Sequence, residues 1–185
     1  MGDLHLVRHG PTEWSRSGRH TSETDLPLLP EGEEAARALR PRLADLAPAL
    51  VLTSPRQRAR RTAELAGFPD AVVDPDLVEW GYGAYEGYTT EEIRRHDAGW
   101  TIWSHPVPGG EAETEVGVRL DRVIDRAIRA DGDLLVFGHG HALRALAVRW
   151  LGLPVRAGHY LALDTATVST LSYERESPVL LRWNA

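Results

Sequence analysis

The sequence lacks cysteine and lysine altogether, and each absence removes a class of chemistry. Without cysteine there is no thiol nucleophile, no disulfide and no thiolate metal site. Without lysine there is no Schiff base and no P-loop lysine. All 21 basic side chains are therefore arginines. An anion site in this chain must be built from arginine, histidine and backbone N–H groups, and guanidinium suits oxyanions because it is always charged and presents a fork of donors.

Long apolar runs and basic runs are missing as well. No apolar stretch approaches the roughly 18 residues of a membrane-spanning helix, and no charged leader precedes the first strand pattern. The net charge is −6, and no basic cluster suggests a nucleic-acid footprint. We therefore predict a soluble, cytoplasmic protein that binds neither nucleic acid nor membrane. The 185 residues, 42% of them hydrophobic, predict a single domain over 1–185.

Short apolar runs alternate with helical patterns along most of the chain. This order predicts an α/β fold, a three-layer αβα sandwich around a mostly parallel central sheet. The predicted strands are 4–7, 49–53, 71–74, 134–137, 160–163, 167–173 and 179–183. The predicted helices are 30–46 with a kink at Pro41, 54–66 with Ser54 as N-cap, a short one at 90–96, 113–130 and 142–151.

Chemically reactive side chains follow three of the predicted strands. Arg8 and His9 follow the first strand, the segment 54–58 follows the second, and His139 follows the strand at 134–137. Because ligands of parallel sheets bind beyond the carboxyl ends of the strands, we expect these segments to meet at one edge.

Histidines and arginines at one sheet edge suit phosphoryl transfer. A neutral imidazole nitrogen can attack phosphorus if the other ring nitrogen is fixed as a donor. Guanidinium groups and a second imidazole can stabilise the charge on the transferring group. A carboxyl group must protonate the departing oxygen and later take a proton from water.

Five sequence blocks occur in order along the chain: Arg8-His9-Gly10-Pro11-Thr12; Ser54-Pro55-Arg56-Gln57-Arg58-Ala59 with Thr62-Ala63; Leu77-Val78-Glu79 with Gly83 and Glu86-Gly87; Gly109-Gly110-Glu111; and His139-Gly140. These blocks resemble the signature of the histidine phosphatase superfamily, the phosphoglycerate mutase-like proteins. Within that superfamily, the Trp- and Gly-rich segment after Glu79 resembles actinobacterial mutase-like acid phosphatases and fungal sedoheptulose-1,7-bisphosphatases.

The resemblance implies a role for each matching residue. His9 would be the nucleophile that becomes phosphorylated, and Glu79 the proton donor and acceptor, which predicts an acidic to neutral optimum. The phosphoryl oxygens would be bound by Arg8, Arg58 and His139. The substrate pocket would be lined by Thr12, Ser15, Thr21, Ser22 and the backbone at Gly140. Ser15 stands where the superfamily often has asparagine, so a phosphate contact there would be lost or shorter.

The predicted activity is metal-independent hydrolysis of small sugar or organic phosphates, with no cofactor and no metal. A cofactor-dependent phosphoglycerate mutase is one alternative, and the absence of lysine and the short segment between Glu79 and His139 argue against it. A non-catalytic phospho-ligand binding domain is the other, and it would have no chemical need for both His9 and Glu79. His139 and His141 could pair on a metal, but no third ligand lies near them in sequence. The partner expected is a small phosphorylated substrate, with a homodimer as an open option.

Overall fold

The computed structural model of the chain describes residues 2–185 and is built around a six-stranded sheet. Four neighbouring strands run parallel, and the last two strands add an antiparallel hairpin at one edge. The strands are β1 (Leu4–Arg8), β2 (Leu50–Thr53), β3 (Val72–Val73), β4 (Leu134–Gly138), β5 (Val168–Glu174) and β6 (Ser177–Arg182), in the spatial order β3-β2-β4-β1-β5-β6.

The two central strands, β1 and β4, are apolar because both of their faces are covered. Leu6 and Val136 pack into a core on one face of the sheet, whereas Val7 and Phe137 pack into a second core on the other face. A strand buried on both sides reads as a continuous apolar run rather than as an alternation, which is why these two strands were visible in the sequence.

Helices cover both faces of the sheet. The pair α5 and α6 packs on one face and the pair α2 and α3 on the other. The helices are α1 (Glu13–Ser17), α2 (Pro30–Ala38), α3 (Gln57–Leu65), α4 (Thr90–Arg94), α5 (Glu113–Arg129) and α6 (Gly140–Trp150). The predicted αβα sandwich with a mostly parallel sheet is confirmed.

Strand order decides where the functional residues lie. β2, β4 and β1 are adjacent and parallel, so their carboxyl ends meet at one edge. The hydrogen-bond ladder continues past the strands, because His9 N donates to Gly138 O at 3.0 Å and Ser54 N donates to Phe137 O at 2.9 Å. The backbone of the predicted site is therefore an extension of the sheet.

The predicted helix 30–46 is wrong beyond its first half. Helix α2 ends at Ala38, and a separate 3₁₀ turn covers Arg40–Arg42. Proline at position 41 has no N–H to donate and disfavours helical backbone in the residue before it, so the helix stops instead of bending. Leu39 and Leu43 are nevertheless buried, as their spacing predicted.

The predicted cap at Ser54 is also wrong. Helix α3 begins at Gln57 with Arg56 as its N-cap residue, and no side chain caps it. The hydroxyl of Ser54 lies 2.7 Å from Nε2 of His139 instead. The Ser54 side chain therefore hydrogen-bonds to a residue distant in sequence, whereas the local sequence predicted that it would cap the helix.

The predicted strand at 160–163 is absent, and helix α1, near the start of the chain, was not predicted. The chain forms a 3₁₀ turn over Val155–Tyr160, in which Gly158 O accepts from Arg144 Nε. Leu163 O, in the predicted strand itself, accepts from Arg8 Nη1. Helix α1 was missed because it is only five residues long, although Thr12 and Ser15 form a capping box at its start.

None of the helices within residues 2–185 combines the length and the apolar content that crossing a lipid bilayer requires.

Two glycines hold the loop after β1 against helix α2. A methyl group built on Gly10 would lie 2.4 Å from Gly32 O, and one built on Gly32 would lie 2.2 Å from Pro11 O. Both contacts are with backbone atoms, which cannot swing aside as a side chain can. The close approach fixes where the residue after His9 sits.

We predict that Gly32→Ala destabilises the protein by about 1–3 kcal/mol, because the backbone must shift to accept the methyl group. In a chain of this length each kcal/mol lowers the midpoint of thermal unfolding by about 2–4 °C, which calorimetry resolves. Gly117→Ala is the matched control, since Gly117 also lies in a helix but its added methyl meets only a Val155 side-chain atom at 3.4 Å. Equal midpoints for the two variants would contradict the packing argument.

Candidate active site

A cavity of about 260 Å³ opens at the carboxyl edge of the parallel strands. It is lined by seven of the ten residues predicted from sequence: Arg8, His9, Thr12, Ser15, Thr21, Glu79 and Gly140. Arg58 and His139 are buried behind its wall, and Ser22 is directed elsewhere. The strand ends therefore bring the predicted residues together, with one exception.

The imidazole of His9 is held as a single neutral tautomer. Its Nδ1–H donates to Gly10 O at 2.7 Å, which leaves the lone pair on Nε2. Burial, with the charges of Arg58 and Arg8 adding to it, holds the pKa of His9 well below its ordinary value. A neutral imidazole with its second nitrogen fixed as a donor is the form that attacks phosphorus.

The carbonyl that orients His9 is itself fixed. Gly10 N donates to Thr62 Oγ1 at 3.1 Å, and that hydroxyl donates to Arg58 O at 2.7 Å within helix α3. The His9 ring is thereby tied to the helix that also carries the Arg58 guanidinium.

Arg8 places an unsatisfied donor at the cavity. Its Nη1 donates to Leu163 O, but its Nε is buried and has no hydrogen-bond partner among the described residues. Such a donor is costly unless something accepts from it, so this nitrogen is a natural contact for an oxyanion.

Arg58 and His139 form one hydrogen-bonded unit. Arg58 Nε donates to His139 Nδ1 at 3.2 Å, so Nε2 of His139 carries the proton and donates to Ser54 Oγ at 2.7 Å. Burial, then Arg58 and His9, keep the pKa of His139 well below its ordinary value. In this arrangement both ring nitrogens are engaged, so a contact from His139 to a phosphoryl oxygen requires one of these two hydrogen bonds to open.

Glu79 lies at the N-terminus of helix α6. Its carboxylate accepts from Ala142 N at 2.8 Å, from Trp80 N at 2.9 Å and from His141 N at 3.1 Å. The side chain is 6% exposed. Its orientation is therefore set by backbone, on the cavity wall that it shares with His9.

Comparison with known proteins agrees with this geometry. The family model described as histidine phosphatase superfamily (branch 1) matches residues 4–185. The chain belongs to the histidine phosphatase superfamily. The resemblance read from five sequence blocks is confirmed.

Three similar proteins illustrate the range of the superfamily around this chain. An acid phosphatase of Mycobacterium tuberculosis is 38% identical over 92% of this chain and 86% of its own length. A sedoheptulose 1,7-bisphosphatase of Saccharomyces cerevisiae is 40% identical over 82% of this chain and 68% of its own. The solved structure of an open reading frame product, Rv3214 of Mycobacterium tuberculosis, superposes with a TM-score of 0.95 at 37% identity, over 99% of this chain and 97% of that one.

In this histidine phosphatase, Thr12 and Ser15 meet the cavity through a capping box. Ser15 N donates to Thr12 Oγ1 at 3.2 Å, and Thr12 N donates to Ser15 Oγ at 2.8 Å. Both hydroxyls serve helix α1 as well as the cavity wall, which ties the start of that helix to the phosphoryl site.

Glu86 acts as the anchor of a loop rather than as a second acid. Its carboxylate accepts from Ser22 N at 2.9 and 3.0 Å, from Ser22 Oγ at 2.6 Å and from Thr24 N at 3.0 Å. The carbonyls of Thr21 and Thr24 in turn accept from the two terminal nitrogens of Arg58. Ser22 therefore acts behind the site, because its hydroxyl is directed at Glu86.

The outer wall of the cavity was largely missed by sequence reasoning. Eight further residues, most of them polar or aromatic, complete the lining: Gly18, Arg19, His20, Tyr82, Thr90, His141, Arg144 and Leu163. The aromatic segment after Glu79 contributes to both the core and the cavity wall. Trp80, Trp100 and Trp103 are core, whereas Tyr82 is both buried and part of the wall.

Within residues 2–185, no three His, Asp or Glu side chains are grouped as metal ligands. Nδ1 of His141 is hydrogen-bonded to the hydroxyl of Tyr82 at 2.5 Å, and His139 is bonded to Arg58 and Ser54. The two histidines are thus held by separate partners rather than paired.

We predict that Glu86→Gln lowers the free energy of unfolding by about 1.5–3 kcal/mol at neutral pH, the range for a hydrogen-bonded charged group. Burial raises the pKa of Glu86, but hydrogen bonds from Ser22 and Thr24 outweigh it and leave the pKa below its ordinary 4.5. A lowered carboxyl pKa stabilises the fold above that value, and the contribution is lost as the pH falls through it. Urea unfolding should therefore show the difference in stability between variant and wild type shrinking as the pH falls below 4.5 and through the lowered pKa of Glu86.

The control for this prediction is Glu91→Gln. Glu91 is exposed on helix α4 and pairs with Arg95 at 3.1 Å, as an isolated surface ion pair. Its replacement should leave the free energy of unfolding unchanged at neutral pH and at acidic pH. A Glu86 variant as stable as the Glu91 variant would contradict the anchoring role.

Proposed function

We propose that this chain hydrolyses small-molecule phosphomonoesters without a metal, through a phosphohistidine formed on Nε2 of His9. The observation that carries the proposal is the hydrogen bond from His9 Nδ1 to Gly10 O, which leaves the lone pair on Nε2 for attack on a substrate phosphorus in the cavity that His9 lines. The buried Nε of Arg8 and the nearby guanidinium of Arg58 supply the positive charge that such a transfer needs.

In the first half of the reaction, Nε2 of His9 forms a bond to phosphorus as the ester P–O bond breaks. Glu79 donates a proton to the departing oxygen, and the alcohol leaves. Arg8 and Arg58 neutralise charge on the three remaining phosphoryl oxygens, and their charge is permanent because guanidinium does not lose its proton.

In the second half, water attacks the phosphohistidine and the P–N bond breaks. Glu79, now a carboxylate, takes the proton that water loses, so inorganic phosphate leaves and the starting protonation states return. The three backbone N–H groups around Glu79 keep its oxygens in one place in both halves, which allows a single residue to act first as acid and then as base.

The size of the cavity supports small substrates. About 260 Å³ accommodates a phosphoryl group and a short alcohol, and the lining includes the polar residues Arg19, His20 and Thr90. A cytoplasmic location and a homodimeric assembly stay predictions. The mutase and binding-domain alternatives make different predictions for phosphate release, so one experiment separates them.

We predict that the protein releases inorganic phosphate from p-nitrophenyl phosphate and from sugar or organic phosphates in the presence of EDTA. His9→Ala should lower the rate by at least about 10³-fold, because the covalent route is lost. The panel comprises p-nitrophenyl phosphate, 3-phosphoglycerate, fructose 1,6-bisphosphate and sedoheptulose 1,7-bisphosphate. Rapid alkaline quench with labelled substrate should trap an acid-labile phosphoprotein in wild type only.

His96→Ala is the matched control, since His96 is exposed and lies outside the cavity. It should retain wild-type rates and the labelled intermediate. Conversion of 3-phosphoglycerate to its isomer without phosphate release would favour a mutase. Binding of phosphate by a folded protein with no turnover of any ester would favour the binding domain, and either result would overturn the proposal.

The protonation of His9 provides a second test. Because burial and the two arginines lower its pKa, the ring should stay neutral as the pH falls, whereas a free histidine side chain gains its proton near pH 6.5. Ring ¹⁵N spectra of histidine-labelled protein, assigned with the His9→Gln variant, should show the Nδ1–H tautomer of His9 from about pH 8 to about pH 5. A reference histidine peptide in the same buffers should titrate normally, and parallel titration of His9 would contradict the mechanism.

A further inference from the structure

The backbone of Ala166 has an unusual conformation directly beside the proposed nucleophile. Its φ angle is +54°, in the left-handed region that residues other than glycine seldom occupy. Its N–H donates to Arg8 O at 3.1 Å and to His9 O at 3.2 Å. Strained backbone persists only where the surrounding structure fixes it, and such positions concentrate at functional sites. The segment around Ala166 is therefore a candidate for a role in the reaction.

The same segment holds the side chain of Arg8. Leu163 O accepts from Arg8 Nη1, and Leu163 also lines the cavity. The guanidinium is planar, so the bond at Nη1 sets the direction of Nε, the buried donor that has no partner among residues 2–185. Residues 163–166 thus support Arg8 through both its side chain and its backbone.

Asn184 fixes this segment through Asp164. Asn184 Oδ1 accepts from Asp164 N at 2.7 Å, and Asn184 Nδ2 donates to Asp164 Oδ2 at 2.9 Å. The backbone of Asn184 also has a positive φ, +53°, and its N–H donates to the hydroxyl of Ser169 on strand β5 at 3.0 Å. Because Ser169 is fully buried, Asn184 connects Asp164 to a rigid part of the sheet.

The hairpin of β5 and β6 brings Asn184 to this position. Beyond β6, Val168 and Ala185 exchange two backbone hydrogen bonds, at 3.0 and 3.1 Å. Trp183 Nε1 donates to Ala162 O. Asn184 is therefore flanked by contacts with the chain on both sides of the turn, which hold its side chain in place.

We infer that Asn184 is a positioning residue for phosphoryl transfer, which acts through Asp164 on the guanidinium of Arg8. The inference rests on the proposed phosphatase activity. Asn184 does not line the cavity, so its effect must pass through Asp164 and Leu163 to Arg8. A displacement of about 1 Å in a group that stabilises the transition state can lower a rate by about 100-fold, so loss of this connection should be visible in the kinetics.

The test removes the Asn184 side chain and leaves the backbone free to keep its conformation. Asn184→Gly suits this purpose, because glycine adopts a positive φ without strain. With p-nitrophenyl phosphate as substrate, kcat/KM should fall by about 10- to 100-fold. Competitive inhibition by inorganic phosphate should weaken by about tenfold, because the guanidinium of Arg8 no longer meets the anion in a fixed position.

Ser172→Ala is the matched control on strand β5. The hydroxyl of Ser172 donates to Asp3 Oδ1, and Ser172 lies outside the cavity. This variant also loses a side-chain hydrogen bond of the hairpin, so its thermal midpoint should fall. Its kcat/KM and its inhibition by phosphate should both stay at the wild-type values.

Two variants of Asp164 separate position from charge. Asp164→Asn keeps a side-chain oxygen that can accept from Asn184 Nδ2, so it should retain wild-type kcat/KM. Asp164→Ala loses that oxygen and should resemble Asn184→Gly. The carboxylate of Asp164 also acts on the charge of Arg8. Equal losses in both Asp164 variants would show that charge, and not position, matters. These two variants carry the test if Asn184→Gly does not fold.

A double variant asks whether the effect passes through Arg8. On an Arg8→Gln background, Asn184→Gly should cause no further loss of kcat/KM, because effects that act through one shared group are not additive.

Two further outcomes would overturn the inference alone. One is an Asn184→Gly protein with a lowered thermal midpoint and wild-type kinetics, which would make Asn184 a support of the hairpin only. The other is an undiminished loss on the Arg8→Gln background. Absence of p-nitrophenyl phosphate turnover by the wild-type protein would instead overturn the proposed function, and this inference with it.

Discussion

The hydrogen bond from His9 Nδ1 to Gly10 O is the interaction on which the rest of the site depends, because it decides which imidazole nitrogen faces the cavity. The carbonyl can serve only if Gly10 is immobile. Close packing against Gly32 and the bond to Thr62 make it so. Thr62 lies one helical turn after Arg58 and donates to its carbonyl, so helix α3 fixes the proposed nucleophile and the Arg58 guanidinium together. One short helix thereby positions two residues of the proposed mechanism.

The charges of the site follow from its composition. Burial is deep enough to keep His9 and His139 neutral, yet it cannot neutralise arginine. Imidazole therefore provides lone pairs and donors, and guanidinium provides the lasting positive charge. A lysine buried in place of Arg8 or Arg58 would lose its proton more readily than arginine does. These buried positions therefore suit arginine, and the chain contains no lysine.

Sequence patterns predicted the features that arise from short-range periodicity and from strand order. The apolar runs of β1 and β4 and the amphipathic helix α5 were visible, and the rule for parallel sheets placed their carboxyl ends together. The failures share one cause. Ser54 and the segment 160–163 were assigned from local signals, but their hydrogen-bond partners, His139 and Arg8, are supplied by distant parts of the chain. Propensity cannot anticipate a partner that only the tertiary fold provides.

Helix α6 carries several residues of the cavity wall. Its first turn donates to Glu79, His139 precedes it, and Arg144 lies four residues after Gly140 on the same face. At 1.5 Å per residue, Gly140 and Arg144 are separated by about 6 Å along the helix axis. The hydroxyl of Tyr82 is hydrogen-bonded to Nδ1 of His141, and the carbonyl of Gly10 accepts from Nδ1 of His9. Two imidazoles of the cavity wall are thus oriented through the same ring atom, one at the start of helix α6 and one after β1, because each has a single partner for that atom.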